Sequence, residues 1–432
     1  MRTLFQTRII RDKGCWPCDG SSVKELDASI LASVAFIVFV DMLGLGLIIP
    51  VMPRLIGELA DTSVHRSAEI GGLLMFCYAG MQFLFAPAIG GLSDRFGRRP
   101  VLLTTLFLLA VDYAVMVFAP TLLWLVAGRM MSGVMGASWA AANSCVADCV
   151  SPEKRGRAFG MLAGAGAAGF VLGPAIGGMA GEFGTRVPFM IAASLALTGV
   201  VVGFVYLKET LPLDRRRRFD LARANPAGSI IQMSKTPFVL ACLAVIFFLQ
   251  LSSQAQISIW AYWGELQLGW TPSVTGYTAS LYGIALGFCQ AVLTGRSVHW
   301  FGAANTARFA LLFGLPSYLI LAFADSTAAV ILAIFVGAIA GMTLPALQSL
   351  MSSHVGEDAQ GELQGAVGST LSLTAIIGPL MMTQTFAFFA DDQGLYFPGA
   401  PFVISFSLLL VAIAILWLAL GRMASVHRRK RL

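Results

Sequence analysis

Three ionisable side chains interrupt long apolar stretches of this sequence and are its strongest candidates for chemistry. Asp41, Asp112 and Arg129 lie well inside segments whose neighbours are almost all apolar. A charge at the centre of a membrane costs about 2.5–3.5 kcal/mol on insertion scales unless it is solvated or paired, so such residues are expected to be functional. Burial disfavours the charged form of a carboxylic acid and a nearby cation favours it, so Asp41, assisted by Asp112, is expected to carry a proton. For Arg129 the alternative is a structural pairing with Asp41 or another acid.

A second group of charges lies in GGLSDRFGRRP, residues 90–100, directly after an apolar segment. A loop that only sets membrane topology would explain the arginines. A loop with that role alone would not require Asp94, which lies four residues after Gly90 and three residues before Gly97. We therefore predict a charge-paired turn in which glycines allow close backbone approach. Its candidate residues are Gly90, Asp94, Arg95, Gly97, Arg98 and Arg99.

The composition is that of a membrane protein. Of 432 residues, 57% are hydrophobic and 12% are charged, and the mean hydropathy is +0.77. Soluble domains are about 45–50% apolar and about 25% charged. The apolar segments are about 18 to 25 residues long, which is the length that an α-helix needs to cross a bilayer. No nucleophile, metal cluster or phosphate loop stands out, so no enzyme is predicted.

The segment pattern predicts an all-α integral membrane protein with twelve transmembrane helices. A membrane β-barrel would show alternating polarity over about ten residues per strand, and this pattern is not seen. The first 29 residues hold no apolar core with a cleavage site, so we expect no removable signal peptide. The predicted helices are 30–52, 70–92, 101–119, 122–147, 158–181, 188–207, 237–260, 274–295, 306–324, 327–350, 366–390 and 398–420.

Lysine and arginine predict the orientation of these helices, because they are retained on the cytoplasmic side. With the N-terminus placed inside, 25 of the 29 basic residues fall on one face. The other face holds Arg54, Arg66 and Arg186, and Arg129 lies within a segment. Both termini are therefore expected in the cytoplasm. The net charge of +6 is explained by topology, and we expect no nucleic-acid partner.

An internal repeat divides the chain. A shift of 205 residues superposes glycines and a proline of the first half on the second, in the same topological sense because six helices separate the copies. The expected organisation is a cytoplasmic tail at 1–29, six-helix bundles at 30–207 and 237–420, a cytoplasmic linker at 208–236 and a basic tail at 421–432. The superposed pairs include Gly156 and Gly361, Gly160 and Gly365, Gly173 and Gly378, Pro174 and Pro379, Gly97 and Gly302, and Gly136 and Gly341.

These residues carry a family resemblance that spans about residues 30 to 420. GGLSDRFGRRPVLL at 90–103 resembles the loop 2–3 signature of the major facilitator superfamily, in the form seen in tetracycline/proton antiporters and related drug exporters. VDMLGLGLIIPVMPRL at 40–55 resembles the Asp-containing first helix of that group. GRMMSGVMGA at 128–137 is similar to the intramembrane arginine motif, and GAGAAGFVLGPAIGG at 164–178 resembles the antiporter motif.

The resemblance implies the major facilitator fold, with two six-helix parallel-repeat halves, and proton-coupled efflux of an amphipathic drug. It implies that residues 90–99 form a cytoplasmic gate and that Asp41, Asp112 and Arg129 serve proton coupling. No cofactor is implied beyond the proton gradient, although the drug can arrive as a magnesium chelate. The implied partners are a small-molecule drug, protons and the lipid bilayer, at a bacterial inner membrane. The antiporter motif maps to Gly169, Gly173, Pro174, Gly177 and Gly178.

Departures from the family bear on the substrate. The tetracycline antiporters have a histidine in helix 8 and an aspartate in helix 9, where this sequence has Leu286 and Gly314. Gln254, Trp260 and Gln290 are candidate ligand contacts, or the glutamines hold helices together. Tetracycline is therefore one candidate substrate. The alternatives are another drug or metabolite, or a receptor or scaffold that binds without pumping.

A CxxC pair, Cys15 and Cys18, lies in the N-terminal tail. No second pair or nearby histidine completes a zinc site, and no βαβ pattern surrounds it as in redox proteins. The sequence assigns this pair no role.

Overall fold

The computed structural model describes residues 22–136, 138–150, 154–216, 236–356, 359–391 and 394–429. Within these ranges the regular secondary structure is entirely helical. Cys15, Cys18 and most of the 208–236 linker lie outside the described residues. The helices are numbered α1 to α12 in chain order, and a helix that breaks keeps one number.

The first half contains α1 to α6. Its members are α1 (Ser22–Ile48, a 3-10 turn Ile49–Val51, then Met52–Ala60), α2 (Val64–Phe96), α3 (Arg98–Phe118), α4 (Leu122–Met135, then Ser138–Cys149), α5 (Arg155–Gly181) and α6 (Val187–Tyr206).

The second half contains α7 to α12. Its members are α7 (Pro237–Ser258, then Trp260–Leu268), α8 (Pro272–Phe288, a π turn Cys289–Leu293, then Thr294–Phe301), α9 (Ala303–Ala322), α10 (Thr327–Ala340, then Thr343–Ser352), α11 (Gln360–Phe389) and α12 (Ala400–Arg429).

Each predicted segment corresponds to one helix. Eleven of the helices in the described part of the chain are long and apolar enough to cross a membrane. The twelfth, α4, is divided at Gly136 into two pieces, each shorter than a full span. In helices, all backbone hydrogen bonds are made within the segment, so long apolar stretches adopt this form in lipid. The predicted all-α membrane fold is confirmed.

The internal repeat is visible in the backbone. Gly97 joins α2 to α3 with φ +108°, and Gly302 joins α8 to α9 with φ +77°. Residues with a side chain rarely adopt such angles, so both turns require glycine. Two further pairs related by the same shift share their setting: Gly136 and Gly341 at the breaks of α4 and α10, and Pro174 and Pro379 inside α5 and α11.

Within each half the helices pack closely, and the halves meet along two helix pairs. α1 packs on α5 and α6, and α7 packs on α11 and α12. The main contacts between halves are α5 with α8 and α2 with α11. We call the end that carries the α2–α3 and α8–α9 turns the basic end, and the end that carries the α1–α2 and α7–α8 connections the opposite end.

Candidate functional site

Three adjoining cavities lie between the two halves, and together we call them the central cavity. Ile257 of α7 lines all three. The first part is lined by α1, α2, α4 and α7, and the third by α1, α5, α7 and α8. The second part, with a volume of about 220 Å³, is formed mainly by α7 to α10. A mostly apolar cavity with a few polar groups is the usual form of a small-molecule site.

Leu286 and Gly314, where the resembling antiporters have ionisable residues, both line the second part of the cavity. The side chain of Leu286 lies against Gly341 of α10, and Leu409 of α12 lies against Gly314. Aliphatic side chains therefore occupy the space around these two positions. The departure seen in the sequence changes the wall of the cavity itself.

Two of the three predicted ligand contacts line the central cavity. Gln290 does so, and its Nε2 donates to the Gly341 carbonyl at 3.4 Å. Trp260 lines the third part, with its Nε1 donating to Thr278 Oγ1 at 3.0 Å. The structure places Gln254 elsewhere, buried against Gly378 of α11.

The position of Gln254 follows from helical spacing. Gln250, Ser253 and Ile257 recur every three to four residues and form one face of α7, which lines the cavity. Gln254 belongs to the neighbouring face, which packs on another helix of the same half. Gln256, which was not among the predicted ligand contacts, also lines the cavity.

Arg129 pairs with Asp112. The Asp112 side chain is fully buried, and its Oδ2 accepts a hydrogen bond from Ser132 Oγ. Arg129 Nη2 lies 3.9 Å from the same oxygen. Arg129 also lines the first part of the central cavity, whereas Asp112 does not. The sequence left open a pairing of Arg129 with Asp41 or another acid, and the structure selects Asp112.

Asp41 lies in separate surroundings. Its side chain is nearly buried, and Ser138 Oγ of α4 donates to Asp41 Oδ2 at 3.3 Å. The carboxylate faces a cavity of about 10 Å³ between α1, α3 and α4, roughly the space of one water molecule. None of the three parts of the central cavity is lined by Asp41. The two predicted proton carriers therefore occupy different environments.

The predicted charge pairs at the basic end centre on Arg98. Its Nη1 donates to Asp94 Oδ1 at 2.5 Å and to Ser93 Oγ at 3.1 Å, and its Nε donates to Asp148 Oδ2 at 3.0 Å. The Arg98 backbone N–H donates to Glu209 Oε1 at 2.8 Å. This network joins the ends of α2, α3 and α4 to the chain that follows α6.

The other residues of the predicted gate differ in their contacts. Arg99 donates to the carbonyl of Phe204 at 2.7 Å and lies over its ring. Arg95 is exposed and lies over the Phe96 ring. A Cβ at Gly90 would meet no atom within 4 Å. Among the described residues, neither Arg95 nor Arg99 forms an ion pair, so the three arginines are not equivalent.

The glycines of α5 form two contact surfaces. Gly169, Gly173 and Gly177 lie against backbone atoms of α1, in the same half. Gly178 lies against Pro272 of α8, and Pro174 borders the same contact through its carbonyl, beside Gly276. Helical spacing directs only part of the motif to the boundary between the halves. The remainder holds α5 against α1.

Contacts between the halves are concentrated at the opposite end. Arg54 Nε lies 3.7 Å from Glu265 Oε1, and the Ser273 backbone N–H donates to Glu182 Oε1 at 3.1 Å. Hydrogen bonds from Thr271 and Ser273 lower the pKa of Glu182 below its ordinary value. Deeper in the membrane, Gly72 lies against Thr383 of α11.

Nearer the basic end the same helices leave space. A Cβ added at several glycines of α5, α8 and α11 would meet no atom within 4 Å. The described contacts between the halves therefore lie toward the opposite end, and these glycines leave room near the basic end. The glycines in question are Gly156, Gly160, Gly164, Gly287, Gly361 and Gly368.

Several residues of these networks were not found from the sequence. Ser132 and Ser138 bind the two buried aspartates, and Asp148 and Glu209 accept hydrogen bonds from Arg98. A carboxylate at 148 near the end of an apolar segment was the one available signal, because acids are rare there. Nothing in their spacing along the chain relates these residues to their partners.

Comparison with known proteins gives consistent matches over most of the chain. The Major Facilitator Superfamily model matches residues 34–379. The tetracycline resistance protein of class C from Escherichia coli is 34% identical over 376 residues, covering 87% of this chain and 93% of that protein. The class G protein from Vibrio anguillarum is 36% identical over 362 residues, covering 81% and 88%.

A solved structure has the same fold. The bacterial homologue of the human lysosomal transporter Spinster, in its inward-facing and occupied conformation, superposes with a TM-score of 0.76. The match covers 91% of this chain and 96% of that one at 16% sequence identity, so the likeness concerns the fold.

Proposed function

The chain belongs to the Major Facilitator Superfamily, and we propose that it is a proton-coupled antiporter that exports an amphipathic drug by alternating access. The observation that carries this proposal is the central cavity, which lies between two repeated halves that touch at one end. In this superfamily, substrate sites lie near the middle of the membrane between the halves. The names of this chain's relatives, the tetracycline resistance proteins, make tetracycline the leading candidate substrate.

In our proposal the basic end faces the cytoplasm of a bacterium, in accordance with its excess of lysine and arginine. The conformation described above is then open to the inside. The Arg98 network belongs to the gate that closes this end in the alternate state.

A second candidate is an exporter of another drug or metabolite. Leu286 and Gly314 favour it, because both line the cavity and neither can carry a charge. The experiment that separates the two candidates is growth inhibition of a drug-sensitive bacterium by a panel of antibiotics, with and without the protein expressed. Protection against tetracycline supports the first candidate. Protection against another compound but not tetracycline supports the second, and no protection at all counts against drug export.

We expect Asp41→Asn to abolish drug-driven proton movement in inverted membrane vesicles while part of the drug binding is retained. Asparagine keeps the shape of the side chain and can still accept from Ser138, but it cannot titrate. The measurement is the quenching of a pH-sensitive dye on drug addition. Asp325→Asn, an exposed acid in the α9–α10 connection, is the matched control and should retain the response. Normal proton exchange by Asp41→Asn would remove Asp41 from this role.

A further inference from the structure

The central cavity is lined by one formal charge, and that charge is positive. Of the described residues that line its three parts, Arg129 is the one charged side chain, and none is an aspartate or glutamate. Asp41 faces the separate cavity between α1, α3 and α4, and Asp112 is fully buried on α3. A molecule in the central cavity therefore meets a cation but no carboxylate.

Two polar groups at the first part of the cavity have unused hydrogen-bonding capacity. Arg129 is 6% exposed, and its Nε and Nη2 make no hydrogen bond to any described residue. Ser258 is 2% exposed, and its Oγ also lacks a partner within the described part of the chain. Both residues line the same part of the cavity. Buried donors without acceptors are unfavourable, so the Arg129 side chain would gain hydrogen bonds by turning toward an acceptor that a ligand places in the cavity.

Asp112 does not use these donors. Its contact with Arg129 Nη2, at 3.9 Å, is beyond hydrogen-bonding distance, and its Oδ2 already accepts from Ser132. The aspartate therefore compensates the charge of Arg129 without occupying its N–H groups. A guanidinium group is a planar fork of donors that matches the oxygens of an anionic group.

We propose that Arg129, together with Ser258, binds an anionic oxygen of the substrate. The transporter then selects amphipathic molecules that present such an oxygen and carry neither a bound metal nor a net positive charge. This inference rests on the proposed export function and names the class of substrate for the same cavity.

The second part of the cavity completes this selection. Its polar lining is neutral and contains amides and hydroxyls, which can bind carbonyl and hydroxyl groups of a ligand. At Leu286 and Gly314 it has no carboxylate or imidazole to compensate a cationic metal chelate. The polar residues are Gln250, Ser253, Gln256, Tyr282, Gln290, Ser317 and Tyr318.

The test is calorimetric binding to the purified full-length protein with four probes. They are tetracycline with EDTA, tetracycline with excess magnesium, the carboxylate nalidixate and the permanent cation ethidium. We expect metal-free tetracycline and nalidixate to bind at least tenfold more tightly than the other two. Arg129→Gln should weaken both anionic probes at least tenfold, and Arg129→Lys should weaken them less. Arg66→Gln, an exposed cation outside the cavity, should leave all affinities unchanged.

A further variant guards against loss of folding, because Arg129→Gln leaves Asp112 without its cation. The double variant Arg129→Gln with Asp112→Asn removes both charges and should show the same loss of anion binding. Tighter binding of ethidium or of the magnesium chelate, wild-type anion affinity in the double variant, or binding of none of the probes would each overturn the inference. Arg129-dependent binding of nalidixate without binding of metal-free tetracycline would support the inference and count against tetracycline as the exported drug.

Discussion

Arg98→Gln is expected to lower drug export at least tenfold while the protein still inserts into the membrane. The Arg98 guanidinium is largely buried and donates to Asp94, Asp148 and Ser93 at the ends of three helices. Hydrogen bonds to charged groups contribute about 1.5–3 kcal/mol each, and a glutamine cannot reach the same set of acceptors. The variant also leaves two carboxylates close together without a cation. Export is measured as tetracycline accumulation in cells, with the amount of protein in the membrane determined in parallel.

Arg95→Gln is the matched control for Arg98→Gln. Arg95 lies three residues earlier and carries the same charge, but it is exposed and contacts an aromatic ring rather than an acid. We expect this variant to export almost normally. Equal losses in both variants would mean that the positive charge of the turn matters and that the Arg98 network does not.

Gly177→Ala is expected to abolish export and to lower the thermal stability of the protein. A Cβ at this position would collide with the backbone of Leu47 in α1, including its carbonyl oxygen. A backbone cannot move aside as a flexible side chain can, so α1 and α5 must separate. Overpacking of this kind costs about 1–3 kcal/mol. The measurements are export in cells and the unfolding temperature of the purified protein.

Gly164→Ala tests whether the steric contact is the cause. Gly164 lies in the same helix, and a Cβ there would meet no atom within 4 Å. Alanine is favoured over glycine in a helix by about 1 kcal/mol, so this variant should be as stable as the wild type or more so. If Gly177→Ala behaved like Gly164→Ala, the contact between α1 and α5 would not be close in the working protein.

Much of the architecture was predictable because it depends on properties of contiguous segments. A run of about twenty apolar residues must satisfy its own backbone hydrogen bonds in lipid, so each of the twelve segments had to be a helix. The repeat was also readable, because glycines that permit positive φ recur 205 residues apart at Gly97 and Gly302. Charged residues such as Asp112 and Arg129 could also be identified from the sequence, because they interrupt contiguous apolar segments.

The sequence could not predict which candidate residues contact one another. Those contacts depend on the rotation of each helix about its axis and on packing between helices that are distant in the chain. Spacing alone left Arg95, Arg98 and Arg99 equivalent, whereas the packed helices bring Asp148 and the Glu209 carboxylate to Arg98 only. A rotation of one residue, about 100°, decides which glutamines of α7 line the cavity.

The rotation of the helices also determines which charged residues line the cavity. Neither the composition nor any sequence motif shows this. Asp41, Asp112 and Arg129 all lie inside apolar segments, and the sequence assigned all three to one task. Their helices turn only Arg129 toward the space between the halves, while Asp41 and Asp112 face the interior of the first half. The helices themselves follow from the hydropathy of the chain. The ion pairs, the face of each helix that lines the cavity and the end at which the halves touch arise from the packing of the twelve described helices together.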